Sequence, residues 1–335
     1  MFVVGNYSTA VVFCIITMIC WGSWANTQKL SEKTWRFELF YWDYVIGILL
    51  FSIICAFTLG STGTDGRSFI EDLKQADSSN VLSALVGGFV FNAANILFSA
   101  AIAIAGMAVA FPVAIGIALV LGVLVNYNAA QKGNPYFLFA GVALVIIAIL
   151  LNAAAYKKKS RSQVSGEVTT KGILISVFAG ILMSFFYRFV ASSMDLENFA
   201  SPMPGKMTPY TAVFIFSAGI FVSNFIFNTA LMRKPITGKP VSYGDYFNGN
   251  FKTHFVGILG GLIWGLGNSF NLIAAGKAGP AISYGLGQGA TLIAALWGVF
   301  IWKEFKDAGK QTNALITAMF FFFLTGIALI IYAGA

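Results

Sequence analysis

The sequence predicts an all-α polytopic membrane protein of ten transmembrane helices in two inverted five-helix repeats. Three observations carry that prediction. Of the 335 residues, 58% are hydrophobic and only 10% charged, with a mean hydropathy of +0.78. A soluble domain of that size needs far more charge to cover its surface. The apolar residues also fall in runs of roughly 20, the length at which a helix crosses the hydrocarbon core of a bilayer. Finally, residues 87–119 recur as residues 260–292 at an offset of 173, identical at nine of thirty-three positions. Gly87, Gly88, Asn95, Gly106 and Gly116 return as Gly260, Gly261, Asn268, Gly279 and Gly289.

In chain order the spans fall at about 8–29, 38–60, 82–104, 107–128, 135–155, 171–194, 208–231, 254–276, 279–302 and 313–334. The run 81–128 is almost unbroken, yet too long for one crossing at about 1.5 Å per residue. Gly106 marks its turn, and Gly279-Pro280 marks the same turn in the copy, where proline suits the first turn of a new helix. Residues 1–13 lack the basic stretch of a cleavable signal, so the first span is expected to be retained. Residues 69–76 put Phe69, Ile70, Leu73 and Ala76 on one face. They read as a short interfacial helix with Asp65, Glu71, Asp72 and Asp77 turned to water.

Charge sets the expected orientation. Loops after the odd-numbered spans carry fifteen Lys and Arg, from Lys29 to Lys310, against five on the other side (Arg67, Lys74, Lys132, Lys206 and Lys277). The positive-inside rule then puts both termini outside and the central loop in the cytoplasm, in a cell (inner) membrane. The expected divisions are a first repeat at 1–155, a cytoplasmic linker at 156–170 and a second repeat at 171–335. Corresponding helices lie five spans apart, and five is odd, so the second copy inserts upside down. Inverted repeats characterise secondary transporters, which hold substrate near the midplane between the halves.

Several function classes drop out. The net charge of +8 falls in loops that obey the membrane rule, which leaves nucleic acid without a case. Cys14, Cys20 and Cys55 lie inside apolar spans, and no Cys/His cluster has metal-binding spacing. The single His254 opens a span beside Lys252 and reads as a helix-end residue. No phosphate-binding loop, nucleophile elbow or His-Glu-x-x-His occurs, so no enzyme and no cofactor is expected, and transport would draw on an ion gradient, most simply protons. The implied partners are a small-molecule substrate and the lipid bilayer; no feature sets an oligomeric state.

Candidate site residues come from polar and aromatic side chains inside spans. In the third span Ala84, Gly88, Asn92, Asn95 and Ser99 share a face, and in the eighth Gly257, Gly261, Gly265 and Asn268 do, with Trp264 and Asn271 flanking. Such amides either bond neighbouring helices or bond a polar solute in a cavity. The retention of Asn95 and Asn268 in both halves favours the solute. The ninth span adds Tyr284 and Gln288. Trp21 and Trp24 share a face near the end of the first span; Trp21, the deeper, is the candidate for stacking on a ligand, and Trp24 for an interfacial belt. Asp43 is the carboxylate best placed for proton coupling, or else a headgroup-level residue among aromatic anchors. Arg188 either snorkels or pairs with Asp43. Glu304 is expected to pair with nearby lysines.

Several segments resemble the ureide permease family of the drug/metabolite transporter superfamily: residues 41–49 (YWDYVIGIL), 69–82 (FIEDLKQADSSNVL), 207–217 (MTPYTAVFIFS), the stretch around Gly267-Asn268, and 297–304 (WGVFIWKE). The resemblance implies proton-coupled uptake of ureides such as allantoin and nucleobases such as uracil. The chain departs from the plant members in its short central loop, which lacks their phosphate-loop-like motif. More distantly it resembles bacterial glucose/ribose and rhamnose porters. Sugar porter and metabolite or drug exporter therefore stand as alternatives. A membrane scaffold or lipid-modifying enzyme would need a reactive interfacial cluster that is not found.

Overall fold

The computed structural model describes residues 1–31, 35–160, 170–306 and 308–335. Its architecture is ten helices long and apolar enough to cross a membrane: Tyr7–Ser31, Phe37–Phe57, Ser78–Ala105, Phe111–Ala129, Pro135–Lys158, Thr170–Ser192, Pro209–Arg233, Phe251–Ala278, Pro280–Ile301 and Lys310–Tyr332. Among the described residues there is no strand, only an isolated bridge between Met194 and Met207. The helix of the fifth span continues to Ser160 and that of the sixth begins at Thr170. Most of the expected linker 156–170 thus lies outside the described residues, as do Lys33 and Arg161 of the charge count.

Local chemistry sets the helix ends. Asn6 and Asn250 cap the first and eighth spans by accepting from Thr9 N and Thr253 N, each at 2.9 Å. Pro209 and Pro280 occupy first turns, where a missing N–H costs nothing. The hairpin turns fall where the sequence marks them. Gly106 and Gly279 take φ of +76° and +83°, a region open to glycine.

Packing partners repeat when each span is exchanged for the one five later. The third span lies along the sixth and seventh, the eighth along the first and second. The fourth lies on the sixth, the ninth on the first, and the fifth and tenth pair with each other. The closest approaches repeat too. A methyl group on Gly88 would stand 2.2 Å from the Phe216 carbonyl oxygen and 3.0 Å from Gly219 Cα. One on Gly261 would stand 2.0 Å from the Tyr44 carbonyl oxygen and 2.8 Å from Gly47 Cα. Glycine on both sides lets backbones touch, the main source of helix association in lipid.

The short helix is Phe69–Gln75, opened by a capping box between Ser68 and Glu71. Its expected water-facing row needs one correction: Asp72 is fully buried. It accepts from Arg67 Nε at 2.9 Å and Thr208 N at 2.7 Å, while Arg67 also donates to the Pro202 and Lys206 carbonyls. The carboxylate points inward because that loop supplies donors a buried charge requires.

Candidate functional site

Trp21 of the first span and Trp264 of the eighth lie parallel, ring centroids 5.8 Å apart and planes 8° apart. With Trp24, Phe91, Phe98, Phe111 and Phe186 they wall a small cavity, to which Asn95 and Gln288 bring amides. Two glycines set the position of Trp21. A methyl group on Gly267 would stand 2.9 Å from Trp21 Cδ1, and one on Gly287 2.6 Å from its Cζ3. The indole is thus slotted between the eighth and ninth spans. Thr17 Oγ1 holds the same junction by donating to the Gly267 carbonyl at 2.8 Å. The Trp21 Nε1–H is buried with no partner among the described residues, a donor in need of an acceptor.

Asn95 is held by a chain of hydrogen bonds across three spans. Its Nδ2 donates to Tyr41 Oη at 3.3 Å, the Tyr41 hydroxyl to Asn92 Oδ1 at 3.0 Å, and Asn92 Nδ2 to Ser223 Oγ at 2.9 Å. Asn92 is therefore a positioning residue that acts through Tyr41, not part of the wall. Of the eight residues expected to meet a solute, Trp21, Asn95, Trp264 and Gln288 share the cavity and the others do not. Asn271 Nδ2 donates to the Ser283 carbonyl at 2.8 Å and so ties the eighth span to the ninth. Tyr284 packs against Gly122 and donates to the Met183 carbonyl at 3.1 Å. Asn268 is buried off the wall with its Oδ1 unpartnered.

Both second arms of the hairpins are irregular beside this cavity. The fourth span passes through a π-helical turn at Phe111–Ile115, and the ninth breaks at Gly289 between Pro280–Gln288 and Ala290–Leu296. Phe111, Ile115, Gln288 and Ala290 all face the cavity. Non-helical backbone at membrane depth is tolerated where it is buried in protein or lines a cavity.

Asp43 lies elsewhere, fully buried at the end of the molecule that carries the basic loops. It accepts from Trp35 Nε1 at 3.3 Å and the Tyr246 hydroxyl at 2.6 Å, and its Oδ1 lies 2.8 Å from His254 Nδ1. One expectation changes: His254 is the partner of Asp43 and not a bare helix-end residue. Arg188 is exposed and takes no part in this cluster, which agrees with the snorkelling alternative. Burial, and then the bond to Asp43, push the Tyr246 phenol well above its ordinary range.

Sequence reasoning missed two further features. Trp24 is 2% exposed, packs at a tilt against Tyr44 and lines the cavity, so it is a wall residue and not a belt residue. Glu304 pairs across the bundle: Lys29 Nζ lies 2.8 Å from its Oε1 and 4.5 Å over the Trp302 ring, and the Tyr156 hydroxyl donates to its Oε2. These groups surround a second small cavity that shares Phe111 with the first. Among the described residues no three His, Cys, Asp or Glu side chains group as a metal site.

The sequence profile of the ureide permease family matches residues 40–165 and 155–333. The chain belongs to the ureide permease family. It is 26% identical to ureide permease 2 and 24% identical to ureide permease 1 of Arabidopsis thaliana, in each case over 98% of both chains. Transmembrane protein 144 homolog B of Dictyostelium discoideum is 28% identical over 47% of this chain and 38% of its own length. One solved crystal structure shares the fold at a TM-score of 0.61 and 15% identity, covering 97% of this chain and 96% of that one. Membership in the ureide permease family makes the chain a multi-pass membrane transporter and not an enzyme.

Proposed function

We propose that this member of the family carries a ureide inward across a cell membrane by proton symport, through alternating access of two inverted five-span halves. The observation that carries the reading is the parallel Trp21–Trp264 shelf facing the Asn95 and Gln288 amides. A ureide is flat and studded with urea-type N–H and C=O groups. Its ring stacks on indole, and its edges match amides that both donate and accept, with the Trp21 N–H as an added donor. A mostly apolar cavity with a few convergent polar groups is the usual form of a small-molecule site. A nucleobase such as uracil, with the same planar urea edge, is the second reading that the flat shelf favours.

The repeated packing partners support inversion, since each span and its counterpart five later run in opposite senses through the bundle. The Asp43–His254 pair supports proton coupling, because it joins the second span to the eighth through a buried carboxyl and an imidazole 2.8 Å apart. The test is uptake of labelled allantoin, uracil, glucose and rhamnose into proteoliposomes, with and without an inward proton gradient. Gradient-driven allantoin uptake is expected. Uptake indifferent to the gradient would remove the symport, and preference for a sugar would remove the ureide.

A further inference from the structure

An open crevice lies beside Ala25–Ser31 at the end that carries the basic loops, walled by Gln28, Trp35, Arg36, Phe37, Ala103 and Thr237. Two helical faces run from the central cavity into it. Asn95, Ser99 and Ala103 follow i, i+4 and i+8 along the third span, and Trp24 and Gln28 follow i and i+4 along the first. Trp24 and Asn95 line the central cavity; Gln28 and Ala103 line the crevice. Between the two spaces Gln28 meets Ser99, its Nε2 donating to the Ser99 carbonyl at 3.2 Å.

That contact leaves two polar atoms unspent. Gln28 Oε1 and Ser99 Oγ are both buried with no partner among the described residues, although each has lost its water. One accepts and the other can donate, the pair of roles that a urea-type N–H and C=O would satisfy. The other closure at this end is of a different kind. The second cavity is sealed by the Lys29–Glu304 ion pair and the Tyr156 hydroxyl, which tie together the first, fifth and ninth spans. Opening there breaks a charged contact. Between the central cavity and the crevice the side-chain hydrogen bond is the single long one from Gln28 to the Ser99 carbonyl.

We propose that Gln28 and Ser99 form a second solute-bonding point that also closes the central cavity towards this crevice, which is the mouth of the transport path at that end. The proposal rests on the transporter reading, and its solute-bonding half rests on the ureide. A solute leaving the Trp21–Trp264 shelf would exchange the Asn95 amide for Gln28 Oε1 and Ser99 Oγ one turn further along.

Cysteine accessibility tests the closure without reference to any solute. Ile115→Cys places a thiol on the cavity wall, and wild-type protein, with its three buried cysteines, sets the background. In sealed vesicles, Gln28→Ala is expected to speed the reaction of Ile115→Cys with a membrane-impermeant maleimide about fivefold from the side bearing the crevice. Lys29→Met, which opens the other closure, is expected to leave that rate unchanged. An unchanged rate with Gln28→Ala, or acceleration by Lys29→Met instead, overturns the gate. Allantoin uptake tests the bonding role: Ser99→Ala, which removes one oxygen, is expected to raise KM about threefold, and Gln28→Asn to fall between wild type and Gln28→Ala. Wild-type KM in Ser99→Ala overturns the subsite. Absence of allantoin uptake by the wild type removes the ureide reading, while the labelling rates still decide the gate.

Discussion

The hairpin of the third and fourth spans and that of the eighth and ninth are copies that have diverged in opposite directions. Both turn on a glycine at positive φ, and both press a glycine onto a neighbouring carbonyl, Gly88 on Phe216 and Gly261 on Tyr44. Their tips differ. Among the described residues, nothing lies within 4 Å of where a methyl group on Gly106 would stand, whereas the Lys132 side chain lies across Gly279 and its Nζ donates to the Gly276 carbonyl at 2.7 Å. A cation on the last carbonyls of a helix complements its dipole, so Lys132 ties the second tip. The amides differ too, Asn95 on the cavity wall and Asn268 behind it. The backbone scaffold is shared by both hairpins, while only the first brings its asparagine to the cavity wall.

That comparison can be broken in four places. The largest effects are expected at the shared knuckles. Gly88→Ala and Gly261→Ala each drive a methyl into a backbone carbonyl that cannot rotate away, a loss of about 3 kcal/mol or more. Thermal unfolding in detergent should show both losses, and tolerance at either site would end the structural equivalence. Next comes the buried Asp72–Arg67 pair. Asp72→Ala strands a half-buried guanidinium and should cost roughly 3 kcal/mol, less whatever solvent recovers for Arg67. The same unfolding measurement reads it.

The asparagines give a smaller and more selective effect. Asn95→Ala should raise the KM for allantoin about tenfold, the loss of roughly 1.4 kcal/mol, while Asn268→Ala should leave KM unchanged. Equal effects would mean that both halves still touch the solute. The weakest effect is at the cap of Phe69–Gln75. The Ser68 hydroxyl and N–H hold the Glu71 carboxyl below its ordinary value. Its contribution is therefore present above the ordinary carboxylate range and is lost as pH falls through the lowered value. Glu71→Gln should lower stability slightly at neutral pH and flatten that acid limb, meeting the wild-type curve once pH falls below the lowered value.

The spans and both turns were legible because hydropathy, Gly106 and Gly279-Pro280 act within a few residues of themselves. Trp21, Asn95, Trp264 and Gln288 were legible as polar or aromatic intrusions into apolar runs. The rest was hidden by distance along the chain. His254 meets Asp43 from 211 residues away, and Glu304 meets Lys29 from 275. Helical periodicity orders residues on one rod and is silent about which rod stands opposite. Asp72 deceived for the same reason: alone it is a surface carboxylate, and only the loop carrying Thr208 N makes it an internal one. Gln28 carried one usable signal, its place one turn beyond Trp24.

The slot that holds Trp21 has a mechanical consequence. Its two sides, Gly267 and Gly287, belong to the two arms of one hairpin, while the ring it grips belongs to the first span. A hairpin that tilts against that span must drag the indole or eject it. The orientation of the indole on the cavity wall and the angle of the hairpin are therefore one degree of freedom.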